Sequence, residues 1–169
     1  MKQRTQVVLI LLCLAAGFAL GLRWNTINQD LKPSTRQVLV YVARSNTVGE
    51  RLVARVVSIS ADVDPLDGAV RALVNQPDGA FPLGTSVLSV TRSGSLVTVD
   101  FSSRLVEGFN GGSQREADLL GCLQMTVGQF AGIERITILV NGKPVDTIGG
   151  HFEIDGPIPV RPVMGAPQG

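Results

Sequence analysis

Alternating apolar and polar positions divide most of this chain into short strands. From Gln37 onward, Val38, Val40 and Val42 face one way and Leu39, Tyr41 and Ala43 the other. Apolar residues on both sides predict a strand covered, at least in part, on both faces. Ser45-Asn46-Thr47 marks a turn, and Arg51 to Ile59 reads as a second strand with Val53, Val57 and Ile59 on one face. Further on, 86–91 and 96–101 flank Ser93-Gly94 as a hairpin. Val97, Val99 and Phe101 share one face there, opposite Thr98 and Asp100. Ile136, Ile138 and Val140 define another strand, and Asn141-Gly142 favours a tight turn into a short strand at 145–148.

Helical spacing interrupts this pattern twice. Asp64 can cap the first helix, Pro65 suits its first position, and Asp67 adds negative charge near its start. Leu66, Ala69, Val70 and Leu73 then form one buried stripe, and Pro77 ends the helix. For the second helix, Ser113 and Glu116 have the spacing of a reciprocal capping box. Leu119, Leu123, Val127 and Phe130 form its core stripe with help from Cys122. Gly121 and Gly128 permit close backbone approach, and Gly132 is placed to cap the end. The predicted order is ββαββαβ. The fold class is therefore α/β of the α+β type, with two helices packed on a mainly antiparallel sheet.

The ends of the chain have a different character. Val7 to Leu22 is sixteen residues without a charge, preceded by Lys2 and Arg4. This length lies between a secretory signal core and a full membrane span. Ala19-Leu20-Gly21 offers a cleavage site, whereas Trp24 suits an interfacial anchor. Residues 1–24 are thus expected to be a membrane anchor or a signal, with the body outside the cytoplasmic membrane or exported after cleavage. Residues 25–36 form a polar linker, 37–150 the folded domain, and 151–169 a Gly/Pro-rich C-terminal segment. Cys13 follows Leu11-Leu12, which does not fit a lipidation box.

Composition removes several kinds of chemistry. The net charge is +1 over 169 residues, and no basic run carries interleaved aromatics, so nucleic acid is not expected as a partner. With one histidine and two cysteines, no cofactor, zinc cluster or internal disulfide is expected. His151 follows the last predicted strand, away from any obvious nucleophile. Gly108-Phe109-Asn110-Gly111-Gly112 lacks both the dinucleotide glycine order and the Walker lysine. No catalytic residue is assigned. The candidate contacts for a partner or ligand are Asp100, Ser102, Phe109, Gly111 and Gly112. Asp100 and Ser102 lie at a strand end, and Phe109 sits in a glycine-rich loop. Gly111 and Gly112 precede a helix N-terminus, which attracts anions.

Several of these pieces, taken in order, resemble the GerMN domain of sporulation and spore-germination proteins. They are Leu39-Val40-Tyr41, the helix running into Asn75-Gln76-Pro77, and Phe81-Pro82-Leu83-Gly84-Thr85 before Val87-Leu88-Ser89-Val90. After these come Val97-Thr98-Val99-Asp100-Phe101-Ser102, Gly111-Gly112, Thr126 to Gly132, Ile136 to Val140, and Asn141-Gly142-Lys143. The pattern departs from the family near Gly149-Gly150-His151-Phe152. The resemblance implies an extracytoplasmic domain similar to ring-building motifs, acting in envelope assembly without an established catalytic residue. The expected partner is an envelope protein or a like domain, with the cytoplasmic membrane held through Val7 to Leu22. A binding module for cell-wall (peptidoglycan) fragments is the alternative.

Overall fold

The computed structural model describes residues 34–44, 52–77 and 79–161. The apolar segment Val7 to Leu22 and the turn expected at 45–47 lie outside these residues. No helix among the described residues is long and apolar enough to cross a membrane.

Strands β1 (Thr35–Ala43) and β2 (Leu52–Ser60) form a two-stranded antiparallel sheet in unbroken register. As its two-sided pattern predicts, β1 is covered on both faces, with Val38, Val40, Tyr41 and Val42 all buried. Side chains from a helix and its C-terminal cap satisfy backbone groups of this strand. The Tyr41 amide donates to Thr126 Oγ1 at 3.0 Å, and Gln129 Nε2 donates to the Leu39 carbonyl at 2.8 Å. These bonds matter because an unpaired buried peptide group costs about as much as a lost hydrogen bond.

Helix α1 (Pro65–Val74) starts as its sequence dictates. Asp64 Oδ1 accepts from the Leu66 and Asp67 amides at 2.9 and 3.1 Å, and Pro65 opens the helix. Ala69, Val70 and Leu73 are almost fully buried. The chain then enters β3 (Val87–Ser93), turns at Gly94, and returns as β4 (Leu96–Phe101). Gly94 has a positive φ of 61°, which the tight reversal requires.

A short helix α2 (Arg104–Glu107) and the long helix α3 (Ser113–Gly128) then carry the chain over to β5 (Arg135–Val140). β5 pairs parallel with β4, the one parallel pairing among the described strands. A parallel neighbour needs a crossover, and α3 provides it. β6 (Lys143–Pro144) and β7 (Ile158–Pro159) both pair antiparallel with β5, one at each end of it. Inward residues Val97, Val99, Phe101, Ile136 and Ile138 join Leu119, Leu123, Val127 and the α1 stripe in one core.

The fold class thus agrees with the sequence reading, while the element order is richer. The strands divide into two sheets, α2 is additional, and the chain after α3 carries three strands where the predicted order ends on one, or on two with the short strand expected at 145–148. The strand expected at 145–148 is replaced by the two-residue β6. Pro144 has no N–H with which to continue the ladder, and the following residues turn toward α3. Helix α3 ends at Gly128 with Gln129 at its cap, so Gly132 (φ 75°) serves a later turn and not the cap expected from sequence. Gly121 and Gly128 do permit close approach. A Cβ on Gly128 would lie 2.4 Å from the Arg161 carbonyl oxygen.

Candidate functional site

The only charged side chain fully buried among the described residues is Glu116. The capping box expected for Ser113 and Glu116 does not form. Gly112 is the N-cap, and no side chain caps this end. Ser113 is therefore the first helical residue, which puts Glu116 one position too far along to reach back to the cap. Instead it points inward from the first turn and holds a distant segment. Oε1 accepts the Ile148 and Gly149 amides at 3.0 and 2.9 Å, and Oε2 accepts the His151 amide at 3.0 Å. His151 Nδ1 also lies 3.0 Å from Oε2. An ionised carboxylate only accepts, so this ring nitrogen is the donor.

Burial pushes the Glu116 carboxyl upward. The hydrogen bonds from Gly149, the His151 ring, Ile148 and the His151 amide outweigh that and hold it below the ordinary range. The charge closes 148–151 over α3 and starts the path that leads through buried Ile154 to β7.

The five residues expected as contacts are not gathered in one place by these bonds. Asp100 Oδ1 accepts from the Gly142 amide at 2.8 Å and fixes the turn after β5. Ser102 Oγ accepts from the Ser86 amide at 3.0 Å, while the Ser102 amide donates to the Ser86 carbonyl at 2.9 Å. Phe109 is half-buried, packed against the core and against Gly149, where a Cβ would come within 2.3 Å of its ring. A Cβ on Gly111 would meet the Arg115 side chain, whereas one on Gly112 would meet nothing within 4 Å. Sequence reasoning missed Glu116 as the organising residue of this region.

The chemistry available here is limited. A histidine oriented by a carboxylate is two-thirds of a hydrolytic triad. The remaining third would be a hydroxyl or thiol donating to the histidine, and no such bond is present among the described residues. Cys122 is fully buried, and burial pushes its thiol up to about 12. A thiol in that state is inert.

A different feature is presented to the outside. Pro82-Leu83-Gly84-Thr85 is a β-turn closed by the Thr85 amide on the Pro82 carbonyl at 3.1 Å, with Gly84 at φ 85°. Phe81, Pro82 and Thr85 are buried, yet Leu83 is 93% exposed. A rigid turn therefore holds an aliphatic side chain in solvent. The Arg104 side chain lies over the turn, within 3.8 Å of a Cβ built on Gly84. Among the described residues it has no hydrogen-bond or ion-pair partner. Beyond the far end of α1, Asp64, Pro65, Leu66, Val90, Arg92 and Phe130 line a groove of about 440 Å³.

This arrangement of strands and helices has known relatives. The sequence pattern of the family described as Germane, sporulation and spore germination, matches residues 39–146, well over half of the chain. The chain belongs to the GerMN family. The tandem GerMN domains of the sporulation protein GerM from Bacillus subtilis superpose with a TM-score of 0.61 at 17% identity, over 76% of this chain and 46% of that one. The first GerMN domain of GerM alone gives 0.56 at 18% identity, over 70% and 92%. A Clostridium perfringens protein gives 0.54 at 20% identity, over 75% and 88%. At these identities the likeness establishes the fold of this GerMN domain. No curated protein matches the chain.

Proposed function

We propose that this GerMN domain is a non-enzymatic association module. Its N-terminal segment tethers it outside the cytoplasmic membrane, and it docks there onto an envelope protein or a like domain. The observation that carries this reading is the Leu83 turn, an apolar side chain held in water by a preformed scaffold. An aliphatic group fixed in this way loses little entropy when a partner covers it, as an interface anchor should. The GerM structure with two such domains in one chain supports a like domain as the partner class. Asp100, Ser102 and Glu116, the groups best suited to chemistry, are all engaged in bonds that hold the scaffold. A cell-wall fragment is the competing ligand class.

Photo-crosslinking in native envelopes separates the two. A photoreactive amino acid at Leu83 is expected to capture a defined protein band. Capture of no protein, together with saturable binding of muropeptides to the purified chain, would overturn the reading.

A further inference from the structure

We propose that the Leu83 turn of one copy seats in the groove between α1, β3 and Phe130 of a second copy. This rests on the association reading above and names its partner and its two surfaces. The turn is preorganised, since its hydrogen bond and the left-handed Gly84 fix the direction of Leu83 before any contact is made. The groove is mixed in character: Val90 and half-buried Phe130 give it an apolar side, and Asp64 and Arg92 a polar one, around a space of about 440 Å³.

The charges match as well. The knob side carries Arg104, free of partners among the described residues, with Glu107 three residues on in α2. The groove side carries Asp64 and Arg92. Among the described residues Asp64 accepts only through Oδ1, at the helix cap, which leaves Oδ2 for a guanidinium. Arg92 is held in place by the Gly94 and Ala131 carbonyls at 3.0 and 2.9 Å. A partner with an apolar knob beside one cation and one anion suits this groove, and the chain itself supplies that combination.

A copy cannot fill its own groove. The Leu83 turn adjoins the C-terminal end of α1, where Thr85 and Ser86 lie beside Arg71, Val74 and Asn75. The groove begins at the N-terminal end, and ten helical residues separate the two by about 15 Å. The contact is therefore between copies, reciprocated in a two-fold dimer or passed from neighbour to neighbour head to tail.

The test uses the full chain in detergent, in a Cys13→Ser background so that buried Cys122 is the only native thiol. Two differently tagged populations, Leu83→Cys and Val90→Cys, are mixed and oxidised. A disulfide joining the two tags is expected, and Leu83→Asp is expected to raise the self-dissociation constant about tenfold or more with unchanged circular dichroism. Crosslinks only between Leu83→Cys copies, or self-association unaffected by Leu83→Asp, would overturn the groove assignment and leave the association reading standing. A monomeric wild type whose Leu83 position captures a different envelope protein would replace the second copy by that protein. Capture of nothing at Leu83 would remove both readings.

Discussion

Glu116→Gln is the substitution that asks most of this structure. The glutamine side chain is nearly isosteric, and its oxygen can still accept from Ile148 and Gly149. Its amide nitrogen, however, would face the His151 amide, placing donor against donor in a buried position. A hydrogen bond to a charged group contributes roughly 1.5–3 kcal/mol, and an unsatisfied buried donor costs about 1–3 kcal/mol. The half-exposed His151 ring can swing to water, so its bond is left out of the sum. The expected loss is about 3 kcal/mol, read by urea denaturation as a lower midpoint at unchanged slope. For a domain of this size that corresponds to ~10 °C in Tm.

The pH dependence gives a second readout. Because the folded Glu116 carboxyl is held below its ordinary range, its stabilisation is fully present above the unfolded value of about 4.3. It fades as the pH falls through the folded value. The gap between wild type and Glu116→Gln should therefore narrow in acid. A loss below about 1 kcal/mol at neutral pH, or a gap that widens in acid, would refute the clasp.

Other substitutions probe separate parts of the same structure. Ser113→Ala should change stability by less than about 0.5 kcal/mol, because Gly112 and not Ser113 occupies the cap; a loss near 1 kcal/mol would restore the capping box. Thr126→Val keeps the side-chain shape but leaves the Tyr41 amide unpaired, and should cost about 1–3 kcal/mol in denaturant melts. Gly128→Ala should displace the chain at Arg161 and cost about 1–3 kcal/mol, while also raising protease sensitivity at the C-terminal segment. Cys122 should resist thiol reagents at pH 8 while folded and react at once after denaturation, since its thiol is buried and pushed up to about 12.

The parts that were legible in the sequence depend on local rules. Asp64, Pro65 and Asp67 are neighbours whose roles concern one helix end, and the two-sided pattern of β1 reports burial directly. Glu116 shows where local rules compete. Ser-x-x-Glu suggests a cap, but Glu116 also lies on the stripe of Leu119, Leu120, Leu123 and Val127, all buried in α3. A carboxylate in register with a buried stripe calls for distant donors, and that was the available signal. Its partners lie more than thirty residues away, so no sequence window contains both. β7 is two residues long and includes a proline, below anything periodicity can register. The sequence supplied Leu83 as part of a family motif, but its exposure depends on how Phe81, Pro82 and Thr85 pack.

The central claim is that this GerMN domain works by docking through the Leu83 turn. Crosslinking mass spectrometry on native envelopes, with a photoreactive group at Leu83 and a control group at exposed Gln114, tests it most directly. Capture of a defined protein at Leu83 and not at Gln114 is the expected result, with peptides around Val90 and Phe130 of a second copy among the products. Equal labelling at both positions, or none at Leu83, would contradict it.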